Sequence, residues 1–236
     1  MCCVIFQAGT SRRRKAKESA VGRPQALKMG NWNSVPEPEV VKPPPSPLLK
    51  RPWRKQEFNT STRNDLLEFI RNYQSLTELV EEPRILLIGQ IGAGKSSFFN
   101  SVNAVFKGRA TFQAMAGHGL VSVSKQYRTY PVEDGRCGKK LPFILCDTMG
   151  LEGNSDKEEG IHVDDVISVI RGHVSDLYEF NPKAPITRFD SRYRQEPSLA
   201  DKVHCVVYVI EANTDCLMTP RLMEKLTAIR EKVNDM

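Results

Sequence analysis

RILLI-GQIGAGKS, residues 84–96, is the stretch that decides the fold of this 236-residue chain. Its octapeptide Gly89–Ser96 matches the phosphate-binding pattern G-x-x-x-x-G-K-[ST] at every fixed position. The apolar run Arg84–Ile88 before it predicts a buried strand, and the apolar residues of Ser97–Phe106 after it recur at helical spacing. In a strand-loop-helix unit of this kind, backbone N–H groups and a helix N-terminus surround an anion. The sequence therefore predicts an α/β domain that binds a nucleoside phosphate.

The candidate phosphate site takes in the whole loop and the residue after it, namely Gly89, Gln90, Ile91, Gly92, Ala93, Gly94, Lys95, Ser96 and Ser97. In this motif the lysine reaches the β- and γ-phosphates, so we expect that role of Lys95. The hydroxyl that follows, here that of Ser96, is expected to bind Mg²⁺. The glycines permit backbone angles and a close approach to the phosphates that a Cβ atom would obstruct.

An acidic residue at the end of a later strand predicts the other half of the metal site. Two strands, residues 120–130 and 141–146, flank an Asp-Gly turn and predict an antiparallel hairpin. Asp147 closes the second strand, where a carboxylate can hold Mg²⁺ beside Ser96, and the N–H of Gly150 is placed to meet a γ-phosphate. A phosphate loop, a hairpin and then D-x-x-G is the order found in Ras-like GTPases. The sequence thus predicts a P-loop NTPase fold of the Ras-like or dynamin-like G-domain type, with Ser96 and Asp147 as magnesium ligands.

The chain divides into a tail over 1–60, a leading helix over 61–82 and the phosphate-loop domain over 83–236. The tail has 12 Lys and Arg against 4 Asp and Glu, with seven prolines between positions 36 and 52. It is therefore expected to be extended and disordered, either as a linker or as a docking or localisation segment. The leading helix carries apolar residues at helical spacing, namely Leu66, Phe69, Ile70, Tyr73, Leu76 and Val80. This stripe is expected to pack on the domain, with a partner helix as the alternative.

The rest of the domain is predicted from periodicity and turn residues. We expect a helix over 164–170, an irregular insertion over 172–201, a buried parallel strand over 203–210 and a helix that starts at Thr219-Pro220. The insertion contains several arginines, and a solvated loop is favoured over a phosphate contact for Arg188, Arg192 and Arg194. The lone histidines His162 and His204 are expected to be structural.

Composition narrows the function classes. No apolar run approaches the roughly 20 residues that a transmembrane helix needs, so no membrane span is predicted. The six cysteines show no paired metal spacing, and a reducing cytosolic setting accounts for them. Outside the tail, 22 basic residues face 24 acidic ones, so the net charge of +6 belongs to the tail and predicts no specific nucleic-acid site.

Taken together, these motifs resemble the interferon-induced protein 44 family, including its 44-like members. The resemblance is carried by RILLIGQIGAGKSSFFNSV (84–102), by Tyr127–Tyr130 and by LPFILCDTMG (141–150), and it continues through 180–182 and 197–199 to 204–206. It implies a cytoplasmic GTP-binding protein of the antiviral innate immune response, with GTP or GDP and Mg²⁺ as ligands and with protein partners or self-association. Longer members carry a folded N-terminal domain and continue past residue 236, so a C-terminally incomplete domain is expected.

Departures from the GTPase pattern leave alternatives open. No [NT]-K-x-D follows the strand at 203–210, so guanine recognition rests on the resemblance and the sheet is expected to be open on that side. Leu151 stands directly after Gly150, where Ras-like enzymes place a water-orienting glutamine. The switch threonine that coordinates Mg²⁺ in Ras-like proteins has no secure equivalent in this chain, since Thr111 lies 15 residues after Ser96. Hydrolysis is therefore expected to be slow or to use a group from elsewhere. The chain is predicted to be a nucleotide-dependent switch or a weak GTPase, with a non-hydrolysing scaffold or an ATP-binding P-loop protein as alternatives.

Overall fold

The computed structural model describes residues 2–8, 57, 59–110, 125–135, 138–152, 160–211 and 219–235, with the backbone alone for 2–8 and 211. In these ranges the strands are β1 (Cys2–Ala8), β2 (Arg84–Gly89), β3 (Arg128–Asp134), β4 (Lys139–Asp147) and β5 (Val203–Glu211). The helices are α1 (Thr60–Arg71), α2 (Lys95–Lys107), α3 (Val163–Ile170) and α4 (Pro220–Asn234), and a 3₁₀ turn covers Leu199–Asp201.

The strands form a mixed sheet in the order β1-β5-β2-β4-β3. The central strand β2 is parallel to both of its neighbours, β4 and β5, and β1 is parallel to β5. β3 and β4 form the antiparallel hairpin that the Asp-Gly turn predicts. The predicted α/β class, with a parallel core and one hairpin at its edge, is confirmed.

Alternation along the strands divides the core between the two faces of the sheet. Leu86 and Ile88 of β2 belong to a cluster with Val166 of α3 and Ile229 of α4. Leu87 points the other way and joins a second cluster that contains Phe99 and Phe106 of α2. Because successive side chains of a strand lie on opposite faces, one nearly continuous apolar strand serves both clusters.

The N-terminal residues correct the predicted tail. β1 pairs with β5 from Cys2 opposite Cys205 to Ala8 opposite Glu211. The prediction of disorder over 1–60 is therefore wrong for these seven residues. The physical reason is that the edge of β5 offers backbone N–H and C=O groups that an extended segment can pair with. The side of the sheet expected to be open thus carries β1, while the proline-rich stretch of the tail lies outside the described residues.

The leading helix is shorter than its predicted span of 61–82. α1 begins after Asn59, whose side-chain oxygen accepts a hydrogen bond from the Thr62 N–H at 2.8 Å, and it ends at Arg71. Leu67 and Ile70 pack against the α2-side cluster. The other positions of the expected stripe in and just after the helix are exposed, namely Leu66, Phe69, Tyr73 and Leu76. The prediction that the stripe packs on the domain therefore holds for Ile70 and for the buried Val80 and is wrong for these four residues.

The remaining elements follow the sequence closely. α3 starts one residue before its predicted position, and β5 ends one residue after. α4 begins at Pro220, and the Thr219 hydroxyl accepts a hydrogen bond from the Leu222 N–H at 3.3 Å, as expected of a cap followed by a proline at the first helical position. No helix in the described residues is both long enough and apolar enough to cross a bilayer.

Candidate nucleotide-binding site

The candidate site lies where β2 and β4 end. Both strands run in the same direction, so their carboxyl ends meet at one edge of the sheet, the edge at which open α/β sheets bind ligands. The segment Gly89–Ser96 connects β2 to α2 at this edge, and Asp147 is the last residue of β4. The topology therefore brings together the two stretches from which the sequence predicts phosphate and metal binding.

Two glycines, Gly94 in the loop and Gly150 in D-x-x-G, allow backbone positions that a Cβ atom would disturb. Gly94 is the N-cap of α2 and has a φ of +96°, a left-handed conformation that favours glycine. A Cβ on Gly150 would lie 2.7 Å from the Cα of Ile91, so the D-x-x-G segment and the loop are in direct backbone contact. The helix that follows Gly94 presents N–H groups in its first turn without intrahelical acceptors, which is the usual setting for an anion.

Lys95 is folded back over the loop that precedes it. Its side chain is 6% exposed, and Nζ donates to the carbonyl oxygens of Gly89 at 3.2 Å and Gln90 at 3.1 Å. Burial lowers the pKa of Lys95, and the nearby charge of Asp147 acts in the opposite direction. The ammonium group is thus held among backbone carbonyls at the carboxyl edge of the sheet, where the phosphates of a nucleotide would supply stronger acceptors.

Ser96 and Asp147 meet directly. The Ser96 hydroxyl donates to Asp147 Oδ2 at 2.8 Å, although 51 residues separate the two in the chain. The other carboxylate oxygen accepts the Thr148 N–H at 3.0 Å, and the residue is 2% exposed. A hydroxyl and a carboxylate in contact are the hard oxygen ligands that Mg²⁺ prefers, with water and substrate phosphates completing its shell. The donor set therefore fits the metal, and no group of three or more His, Cys, Asp or Glu side chains in the described part of the chain is arranged to hold one.

Leu151 joins the loop through its backbone. Its N–H donates to the Gly89 carbonyl at 2.9 Å, and its carbonyl accepts the Ile91 N–H at 3.0 Å. The side chain is 1% exposed and belongs to the core cluster on the α3 side. At the position expected of a water-orienting residue, this chain therefore has a buried apolar side chain. The backbone of Leu151 adds one parallel bridge, to Gln90, at this edge of the sheet.

Most of the predicted site residues converge in this way. The loop Gly89–Ser96, Asp147 and Gly150 form one edge site, and the exposed Ser97 lies in the first turn of α2 beside it. The insertion arginines do not join them. Arg194 donates to the Gly172 carbonyl at 2.8 Å and pairs with Asp201 at 3.0 Å, while Arg192 lies over the Tyr178 ring. Thr111 and most of the expected switch segments lie outside the described residues.

Two features at this sheet were missed from the sequence. One is β1, for which the apolar run at the N-terminus was the available signal. The other is Arg128, whose register partner across the hairpin is Asp147. Counting outward from Asp134 opposite Lys139 would place Arg128 opposite Leu145. The irregularity between Pro131 and Glu133 moves its partner by two residues, to Asp147, so the turn alone does not predict this pair.

Comparison with known proteins confirms the resemblance to the interferon-induced protein 44 family. The chain is 44% identical over 171 residues to human "Interferon-induced protein 44-like", an alignment that covers 72% of this chain and 37% of that protein. It is 44% identical over 180 residues to human "Interferon-induced protein 44", covering 76% and 40%. The mouse "Interferon-induced protein 44" is 42% identical over 177 residues, covering 75% and 41%. The chain is a homologue of interferon-induced protein 44.

The homology with interferon-induced protein 44 has a limited extent. The chain spans about 40% of the length of these curated relatives. No protein-family model matches the chain. No solved structure matches it.

Proposed function

We propose that this chain binds GTP and GDP with Mg²⁺ through the loop Gly89–Ser96, as a cytoplasmic protein of the interferon-induced antiviral response. The observation that carries the proposal is the Ser96–Asp147 hydrogen bond of 2.8 Å beside the buried Lys95. Three residues predicted to serve phosphate and metal from two distant motifs are in one place, which a chance glycine-rich turn would not produce. When bound, the metal supplies positive charge that neutralises the phosphate oxygens.

The chain's own residues support binding more strongly than turnover. Lys95 and the first-turn N–H groups of α2 would hold the phosphates, and Ser96 and Asp147 would hold the metal. Leu151 cannot orient an attacking water, because its side chain lies in the core and its backbone is bonded to Gly89 and Ile91. Intrinsic hydrolysis is accordingly slow or absent.

A nucleotide-binding scaffold without turnover is the second candidate. It is favoured by the buried Leu151 and by the exposed apolar side chains of α1, of which Phe69 is 70% exposed. Contiguous exposed apolar groups of this kind are typical of protein-binding surfaces. In this alternative, bound nucleotide stabilises the domain while α1 contacts a partner protein or a second copy of the chain.

Calorimetric titration of the purified chain with GTP, GDP and ATP in the presence of Mg²⁺ tests the proposal. We expect GTP and GDP to bind, and Lys95→Ala to abolish binding. Lys107→Ala, at the opposite end of the same helix, is the matched control and should leave affinity unchanged. Retained affinity in Lys95→Ala would refute the phosphate-loop assignment, and preferential binding of ATP would refute the assignment of guanine.

Two further measurements separate the remaining claims. Single-turnover release of γ-phosphate distinguishes a slow GTPase from a scaffold, since a scaffold shows no release above the buffer rate. Transcript and protein levels in interferon-treated cells, compared with untreated cells, test the immune role that the names of the relatives suggest.

A further inference from the structure

Arg128 is placed beside the candidate magnesium ligands. It is the first residue of β3, and the antiparallel register puts it opposite Asp147. Side chains of directly opposed residues project from the same face of a sheet. The Asp147 carboxylate reaches Ser96 of α2, so Arg128 projects from the face that α2 covers.

The neighbour of Arg128 on that face confirms its orientation. Tyr130, two residues farther along β3, packs its ring against Phe99 of α2 with ring centroids 4.5 Å apart. The guanidinium carbon of Arg128 lies 5.7 Å from the centroid of the Tyr130 ring. Burial raises the pKa of Tyr130, the charge of Asp147 raises it further, and the charge of Arg128 opposes them. The carboxylate and the guanidinium therefore act on the same phenol group.

One donor of Arg128 has no acceptor among the described residues. Its Nε is buried and makes no hydrogen bond within the described part of the chain, although the side chain as a whole is only half-buried. Buried donors in folded proteins are almost always satisfied, so an unsatisfied Nε on the residue opposite Asp147 leaves a donor for an acceptor that a ligand can supply. Asp176, a nearby acid in the insertion, accepts the Thr129 N–H at 2.7 Å.

We propose that Arg128 contacts the terminal phosphate of a bound nucleoside triphosphate, as a cation supplied by the chain itself. This inference rests on the proposed nucleotide site and adds a residue that neither the phosphate-loop pattern nor D-x-x-G includes. Guanidinium presents paired donors that match phosphate oxygens, which a single ammonium such as that of Lys95 does not. Without nucleotide the group rests over the Tyr130 ring; with a triphosphate it turns to the γ-phosphate. A diphosphate has no oxygen there, so Arg128 sets the preference for tri- over diphosphate.

Arg128→Met separates this role from a structural one. Methionine keeps an apolar side chain over Tyr130 and removes the positive charge. Arg128→Lys keeps the charge but lacks the paired N–H donors of the guanidinium group. The matched control is Arg192→Met, since Arg192 lies 4.7 Å from the centroid of the Tyr178 ring, in the core cluster on the opposite face. Dissociation constants for Mg²⁺-GTP and Mg²⁺-GDP are measured by calorimetry for the full chain and each variant.

We expect Arg128→Met to weaken GTP binding about tenfold or more, the usual effect of losing a hydrogen bond to a charged group, while GDP affinity stays within about twofold. Arg128→Lys should lie between, and Arg192→Met should match the unaltered chain. An unchanged ratio of GTP to GDP affinity, or an equal loss of both with a lower melting temperature, would overturn the inference and leave a structural contact with Tyr130. If the unaltered chain binds neither nucleotide, the proposed site itself is refuted.

A measurement on the unaltered protein guards against misfolded variants. The Nε–H of Arg128 should give a nitrogen-15 NMR signal that shifts on addition of a non-hydrolysable GTP analogue and does not shift with GDP. Identical spectra with the two nucleotides, both shown to be bound, would contradict a contact with the γ-phosphate.

Discussion

Replacing Asp147 by asparagine should remove the magnesium dependence of nucleotide binding while leaving the fold intact. Both carboxylate oxygens are occupied, one by the Ser96 hydroxyl at 2.8 Å and the other by the Thr148 N–H at 3.0 Å. Asparagine has the same shape, and its oxygen can keep the Thr148 contact. Its NH₂ group would face Ser96, whose hydroxyl can rotate and accept instead of donating. The hydrogen bonds survive, and the substitution removes charge alone.

The magnitude follows from those two contacts. Hydrogen bonds to a charged group contribute about 1 kcal/mol more than neutral ones, so the two together lose about 2 kcal/mol of folding free energy. For a domain of this size that loss corresponds to a shift of about 1 M in the urea midpoint. Lys95, buried nearby, also loses the opposite charge that counteracts the burial-driven fall of its pKa.

The assay is GTP titration in Mg²⁺ and in EDTA, for the unaltered chain and for Asp147→Asn. We expect Mg²⁺ to strengthen binding in the unaltered chain and to have no effect in the variant, with both proteins equal in EDTA. Ser96→Ala serves as a second test of the same metal position. A variant that keeps the full Mg²⁺ enhancement would refute the assignment of Asp147, whatever its stability.

Three further outcomes are expected. Gly150→Ala should lower the free energy of unfolding by about 2 kcal/mol and abolish nucleotide binding, since its Cβ would lie 2.7 Å from the Cα of Ile91. The control is Gly108→Ala, at a φ of +65° with open space around it, which should lower the free energy of unfolding by only about 1 kcal/mol in urea titrations. Equal losses in the two variants would contradict the contact between Gly150 and Ile91. In a parallel edge strand such as β1, alternate residues direct their N–H toward the neighbouring strand. Proline removes that N–H, so only one of Val4→Pro and Ile5→Pro should expose β5 amides to hydrogen exchange. Unchanged exchange at Val206–Tyr208 in both variants would refute the pairing of β1 with β5. Burial raises the pKa of the Cys146 thiol to about 11, so the folded chain keeps a proton that the unfolded chain loses; stability should fall by about 3 kcal/mol as pH rises from about 9 to 11. Cys146→Ala should show a flatter pH profile by urea unfolding. Burial, the largest cause of the raised pKa of Tyr127, remains in the variant, and coincident profiles would argue against the shift at Cys146.

The parts of the fold that the sequence predicts well are those set by short-range chemistry. The N-terminus of α4 follows from Thr219 and Pro220, the hairpin from its Asp-Gly turn, and the unit β2-loop-α2 from three glycines between apolar runs. In each case the residues that determine the structure are within about ten positions of one another. Their conformational preferences are local, so the chain around them does not alter the outcome.

The errors arise where a distant part of the chain supplies the interaction. Cys2–Ala8 has no strand partner in sequence, and its pairing depends on β5 about two hundred residues away. In α1, periodicity predicts a helix but not which side is buried, and Leu67 rather than Leu66 faces the core. Arg128 is similar, since its relation to Asp147 depends on the register of a hairpin that contains an irregularity.

The same distinction applies to the two halves of a nucleotide. Phosphates are recognised through backbone N–H groups, a lysine and a metal, and the residues for these lie in one loop and at the end of one strand. A base is recognised by side chains from strands farther along the sheet, and beside β5 this chain places β1. The carboxyl end of β1 lies beside that of β5, at the edge to which the phosphate loop belongs, because β1, β5 and β2 are all parallel. Titrations of the chain with and without residues 2–8, using GTP and ATP, therefore measure the contribution of β1 to base preference. Both chains should still bind a nucleoside triphosphate through the phosphate loop. A change in the ratio of GTP to ATP affinity would assign base recognition to the β1 side of the sheet.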